Sequence, residues 1–179
     1  MHLEHYPARN YQSERLTFRP LVLDDMRVWQ EFLQDPRATE YFPDFMKGTN
    51  PTRALHWIEK QICRYRDKKG GLLAILEKET GNFIGQSGLI VQDVNGKKEL
   101  EIGYHLLPKY WGHGYATEAA IFFKNLAFNS FKADSVISNI EVRNVASQRV
   151  AERNGLRNSE QTKWMDLDIF VYRLKKENF

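Results

Sequence analysis

The segment 99–119 constrains the fold most, because its periodicity changes across two glycines set one residue apart. It reads Glu99-Leu100-Glu101-Ile102-Gly103-Tyr104-His105-Leu106-Leu107, then Pro108-Lys109-Tyr110-Trp111-Gly112-His113-Gly114-Tyr115-Ala116-Thr117-Glu118-Ala119. Up to Leu107 the pattern is strand-like; past the glycines, Ala119, Phe122, Phe123, Leu126 and Ala127 share one helical face. A strand that passes through Gly112 and Gly114 into a helix turns tightly and presents several main-chain N–H groups together at the positive end of the helix dipole. Such a junction suits phosphate, and a pyrophosphate would satisfy those amides. The plainer alternative is that the glycines only permit the turn. Two nucleotide folds are excluded: the dinucleotide fingerprint needs a small residue where Thr117 stands, and no Gly-Lys-Ser/Thr phosphate loop occurs.

Around this junction the chain alternates element types. Residues 1–13 read as irregular, and Leu16-Thr17-Phe18-Arg19-Pro20 as a short strand stopped by proline. A helix is predicted from about Asp24, its N-cap, with Trp29, Phe32 and Leu33 on its apolar face. Asn50-Pro51 opens a second helix, with Asn50 as cap, a stripe of Leu55, Ile58, Ile62 and Tyr65, and an end at Lys69-Gly70-Gly71. Segments 72–76, 83–92 and 99–107 form an antiparallel meander through turns at Thr80-Gly81-Asn82 and Val94-Asn95-Gly96. Segment 135–142 reads as a strand, 145–154 as a helix closed by Gly155, and 164–174 as one last strand. Hairpins followed by a strand–helix–strand crossover predict an α+β domain over 1–179, with a mixed, mostly antiparallel sheet flanked by helices on both faces.

Composition excludes several function classes. The 26 Lys and Arg against 23 Asp and Glu leave a formal charge of +3, which suits a phosphorylated ligand, yet no dense basic block marks a nucleic-acid surface. Cys63 is the single cysteine, so no intramolecular disulfide forms, and no long apolar stretch marks a secretory signal or membrane span. A cytoplasmic location without membrane or nucleic-acid partners is expected. Ser87, in Gly85-Gln86-Ser87-Gly88, does not form a nucleophile elbow, and His2, Glu4 and His5 lack metalloprotease spacing, so no metal is expected.

Taken together the motifs resemble the GNAT acetyltransferases, and within them the Rim-type branch of ribosomal-protein N-terminal acetyltransferases. The resemblance spans nearly the whole chain and rests on the opening strand, Glu101-Ile102-Gly103-Tyr104, Tyr110-Trp111-Gly112-x-Gly114 through Ala119, Asn144-x-x-Ser147, and Arg153-Asn154-Gly155-Leu156. It implies the GNAT acyl-CoA N-acyltransferase fold and acetyl-CoA as cosubstrate. Gly112, His113, Gly114, Tyr115, Ala116 and Thr117 would hold the pyrophosphate through main-chain amides. Leu106 and Leu107 would pair with the pantetheine arm, and Asn144 would bond that arm while capping its helix. Lys109 stands where the superfamily usually has Gln or Arg, keeping charge while losing bidentate geometry. The His113 side chain either adds a phosphate contact or faces solvent.

Acetyl transfer from a thioester to an amine requires a proton acceptor for the amine and a donor for the departing thiolate. Glu99, Glu101 and His105 share one sheet face by alternation. Glu101 is the expected base, its pKa raised by burial or by its acidic neighbour, with His105 in reserve; the alternative for Glu101 is a solvated or salt-bridged group. The tyrosine acid of many superfamily members falls at Ala151, which has no proton to give, and the resemblance to the Rim-type branch transfers that role to Ser147. Departure of the thiolate into solvent would also serve. Tyr41, Phe42, Phe45, Trp57 and Trp164 could line the acceptor cleft or belong to the core. By resemblance the acceptor is a protein or peptide N-terminal α-amine; a small-molecule amine such as a polyamine, antibiotic or amino acid, and an acyl-CoA-sensing module without turnover, are the alternatives. A homodimer is compatible with this reading.

Overall fold

The computed structural model describes residues 3–7, 10–44 and 51–179. His2, Phe45 and the Asn50 cap lie outside those residues. Among the described residues, eight strands form one sheet: β1 (Tyr11–Gln12), β2 (Leu16–Arg19), β3 (Gly70–Glu77), β4 (Phe83–Val94), β5 (Lys97–Leu106), β6 (Ser135–Glu141), β7 (Arg157–Trp164) and β8 (Leu167–Lys175). Their spatial order is β1-β2-β3-β4-β5-β6-β8-β7, and every neighbouring pair is antiparallel except β5 with β6. The helices are α1 (Met26–Gln34), α2 (Pro36–Thr39), α3 (Pro51–Arg66), α4 (Tyr115–Asn129) and α5 (Val145–Arg153). The architecture is thus the expected α+β arrangement, and among the described residues no helix is long and apolar enough to cross a membrane.

Alternation along β3 separates the two layers. Leu73 and Ile75 point to the face covered by α4 and α5, where Ala119, Phe123, Ala127 and Val150 meet Leu100 and Ile102. Ala74 points to the opposite face, where Trp29, Phe32, Ala54 and Ile58 of α1 and α3 pack with Leu107. Phe123 is wholly buried, and its replacement by alanine removes about 3–5 kcal/mol.

Four sequence expectations change. The segment 1–13 contains β1, and Leu3 and Tyr6 are core residues; the Tyr6 hydroxyl donates to Gly71 O (2.8 Å) and accepts from Leu89 N–H (3.0 Å). Single anchoring residues of this kind leave no periodic trace. At the first helix Asp25, rather than Asp24, organises the start: its carboxylate accepts from Val22 N–H (2.8 Å) and from both Arg19 Nη atoms (2.8 and 2.7 Å). A short helix, α2, follows it, capped by Asp35, which accepts from Arg37 N–H. The last strand is two strands, β7 and β8, joined at Met165, whose φ is 55°. β7 is an edge strand reading Arg-Asn-Ser-Glu-Gln-Thr-Lys-Trp, largely exposed, so no apolar alternation announces it.

The parallel pair decides where a ligand can enter. β5 and β6 are in register only at Glu101↔Ile137, supplemented by Ser138 Oγ donating to Ile102 O (2.9 Å). β5 continues to Leu106 while β6 turns toward α5, so the last residues of β5 have no strand partner on that side.

Candidate active site

The opening between β5 and β6 widens into a cavity of about 940 Å³, walled by α3, β5, β6, the start of α4 and the start of α5. At one end stands the 112–117 turn. Gly112 and Gly114 both have φ of 81°, and a Cβ at Gly112 would meet nothing, so handedness rather than space requires glycine there. Gly114 is the N-cap of α4. Trp111 N–H is spent on Pro108 O and Glu118 N–H on Gly114 O, but the N–H groups of 112–117 find no main-chain partner outside the helix. These are the orphan donors of a helix start, and Gly112, Gly114, Tyr115, Ala116 and Thr117 line the cavity.

A clamp from outside the motif holds this turn. Arg15 donates from Nη1 to His113 O (3.0 Å) and from Nε to Glu118 Oε2 (2.7 Å). Glu118 Oε1 accepts from Arg15 N–H and Ser13 Oγ, both at 2.7 Å. The carbonyl of His113 is thereby fixed away from the amides. Its imidazole folds back, with Nδ1 2.8 Å from Trp111 O, and stacks on Tyr115 at 5.8 Å, off the cavity wall.

Along β5, Leu106 lines the cavity and its carbonyl accepts from the Trp111 indole Nε1 (2.7 Å). Leu107 turns inward: it is buried in the α1/α3 core, and its N–H donates to Ile84 O (3.0 Å). Asn144 caps α5, its side-chain oxygen accepting from Ser147 N–H (3.1 Å), while both Asn144 and Ser147 line the cavity. The cap uses only the amide oxygen, so the Asn144 NH2 remains for a ligand. Tyr104 donates its hydroxyl to Ser147 O (3.0 Å), tying β5 to the α5 start. Ala151 is buried, so no side chain from that position reaches the cavity.

The floor holds the titrating groups. Burial pushes the Glu101 carboxyl above the usual carboxylate range, against the opposing pull of Gln92, Asn139 and the Arg64 charge. Its Oε2 is buried without a hydrogen-bond partner, as is the Asn139 side-chain amide. The expected contribution from Glu99 is absent: Glu99 is buried and bound to Arg173 Nη1 (2.6 Å) and Lys97 Nζ (3.3 Å). His105 lies among Trp29, Phe32, Phe42 and Trp57, with ring centroids 5.2–6.2 Å away, and burial pushes its imidazole down to about 4. A neutral His105 with that pKa is a weak proton acceptor, whereas Glu101 has moved toward neutrality.

Of the aromatic candidates, Tyr41, Phe42, Trp57 and Trp164 all line the cavity, though Phe42 and Trp57 also pack on the core of α1 and α3. Trp57 Nε1 donates to Gln86 Oε1 (2.9 Å), and Gln86 is fully buried. Sequence reading overlooked the Trp111 indole, the Tyr104 hydroxyl, the Arg15 clamp and the α3 residues Lys60, Gln61 and Arg64. Polar residues within an otherwise apolar strand or helix face were the available signal for Gln61, Gln86 and Ser138. Nothing local marked Arg15.

Residues 15–157 match the family model described as the Acetyltransferase (GNAT) domain. The uncharacterized protein YkkB of Bacillus subtilis (strain 168) is 31% identical over 158 residues, which cover 87% of this chain and 88% of that protein. The crystal structure of an acetyltransferase from Agrobacterium tumefaciens str. C58 superposes with a TM-score of 0.79 at 28% identity, covering 94% of this chain and 95% of that one. RimL, a ribosomal L7/L12 alpha-N-protein acetyltransferase in complex with coenzyme A, has the same fold, with a TM-score of 0.75 at 14% identity, covering 93% and 98%.

Proposed function

The chain belongs to the acetyltransferase (GNAT) family and is an acetyl-CoA-dependent N-acetyltransferase, and from that premise we propose that its acceptor is the α-amine at the N-terminus of a protein or peptide, which attacks the thioester directly. One observation carries the mechanism: a single cavity has the unpaired amides of 112–117 at one end and the buried, partnerless Glu101 oxygen on its floor. The residues fit the cosubstrate, since left-handed glycines and a helix start offer converging N–H donors to a diphosphate, and the unpaired edge of β5 offers main-chain groups to an extended arm. Bound acetyl-CoA supplies an activated thioester carbonyl.

In this reading Glu101 removes a proton from the acceptor ammonium, so the neutral amine forms the new C–N bond as the C–S bond breaks. Ser147 stands beside the Asn144 cap and relays a proton to the leaving sulfur. The Gly112, His113, Gly114, Tyr115, Ala116 and Thr117 main chain and the Asn144 amide hold the cosubstrate. Leu106 does so through whichever main-chain group Trp111 does not occupy; Leu107 contributes only by packing. The motifs at 110–119 and 144–156 support placement in the Rim-type branch.

Free-CoA release measured across N-terminal peptides, polyamines and aminoglycosides tests the acceptor: faster turnover of peptides is expected, and exclusive turnover of the other amines would refute it. Ser147→Ala should lower kcat about tenfold or more while leaving the acetyl-CoA KM unchanged.

A further inference from the structure

Two cations line the acceptor side of the cavity with no carboxylate in ion-pair contact among the described residues. Lys60 and Arg64 stand one turn apart on α3 and both border the cavity. Arg64 donates only to neutral oxygens, Val91 O at 3.3 Å and Gln92 Oε1 at 3.4 Å, long for a charged donor. Neither residue is ion-paired with a carboxylate among the described residues. Burial lowers both pKa values, and the Arg64 charge lowers that of Lys60 further. Arginine does not give up its proton in a protein, and like charges four residues apart on a helix repel; the Glu101 carboxylate offsets part of this at Arg64 alone, so a further anion would stabilise the pair. Of the other cations on the cavity wall, Arg37 binds Asp35 at 2.6 Å, and Arg153 donates to the neutral Thr117 Oγ1 at 3.2 Å, beside the 112–117 turn. Glu101, on which the Arg64 charge acts, supplies the opposite sign, and its Oε2 is buried without a donor.

Two cations beside one carboxylate with an unbonded oxygen are complementary to a ligand carrying both an amine and an acid. We propose that the acceptor bears a carboxylate next to its reacting amine, held by Lys60 and Arg64 while the amine is presented to Glu101. The inference rests on the acetyltransferase reading and narrows its substrate. Two sources share this chemistry: a free amino acid, through its α-carboxylate, and a peptide beginning with aspartate or glutamate, through its side chain.

The test compares matched acceptors by free-CoA release: amino acids against their carboxamides, and peptides beginning with Asp or Glu against those beginning with Asn or Gln. The carboxylate member is expected to win by about ten- to a hundredfold in kcat/KM. Arg64→Gln and Lys60→Ala should erase that advantage by raising KM for the carboxylate member alone, with acetyl-CoA KM unchanged and Arg64→Lys retaining part of it. The pair that shows the preference identifies the source. Equal rates within both pairs overturn the proposal. So does an equal loss on both members in Arg64→Gln, which would mean that Arg64 serves Val91 and Gln92, and Lys60→Ala gives a second reading if that variant folds poorly. No turnover with any acceptor, while calorimetry shows acetyl-CoA binding, overturns the acceptor class and leaves the family reading; no acetyl-CoA binding overturns both.

Discussion

The two ends of the cavity are built from different materials. The end proposed for the cosubstrate is main chain: left-handed glycines, the first amides of α4 and a strand edge, with side chains such as Arg15 and Glu118 bracing it from outside. The end proposed for the acceptor is side chain: Glu101 from β5, His105 in its aromatic box, and the α3 cations, residues far apart in the chain. A backbone site depends on conformation and tolerates change in most side chains that carry it. A side-chain site depends on identity, so single replacements there should alter chemistry while leaving cosubstrate affinity intact.

Glu101→Gln probes this contrast most severely. It should lower kcat by about 10²–10⁴ with little change in acetyl-CoA affinity by calorimetry; a parallel loss of affinity would mean that the two ends are not separable. In the proposed mechanism the ionised carboxylate is the active form, so kcat/KM of the parent enzyme should fall with acid through a pKa above the usual carboxylate value of 4.5. A profile flat down to that value would remove Glu101 as base.

His105 sharpens the contrast from the stability side. Its folded pKa of about 4 lies below the unfolded 6.5, so the unfolded chain binds the proton first as pH falls. Stability present above 6.5 is therefore lost between 6.5 and 4, by up to about 3 kcal/mol. His105→Phe should flatten that part of the Tm-against-pH curve, and an unchanged slope would assign the acid sensitivity elsewhere.

At the backbone end, Gly114→Val places a branched side chain at φ 81° and should cost about 1–2 kcal/mol, read as roughly tenfold weaker acetyl-CoA binding with kcat at saturation preserved. The smallest effect is expected for Asn144→Ala, which removes the α5 cap for about 1 kcal/mol in thermal melts and modestly raises acetyl-CoA KM.

Legibility followed the same division. The 112–117 turn, α4 and the Asn144 cap could be read locally, since glycine handedness, helical period and capping act over a few residues. The first half of the last hairpin could not, because β7 is polar and pairs only with β8. Nor could the choice between Glu101 and His105, for both sit on the same face of one strand and differ in what covers them.

Most of the chain's order of elements, the glycine turn and its family were thus properties of the sequence, written in short-range rules that need no partner to operate. Which carboxylate is stranded, which histidine is kept neutral, and which cations look into the cavity were decided only when α1, α3 and the sheet closed over one another. Burial and the approach of charges from remote segments set proton affinity, and neither is a property of any residue's neighbours along the chain.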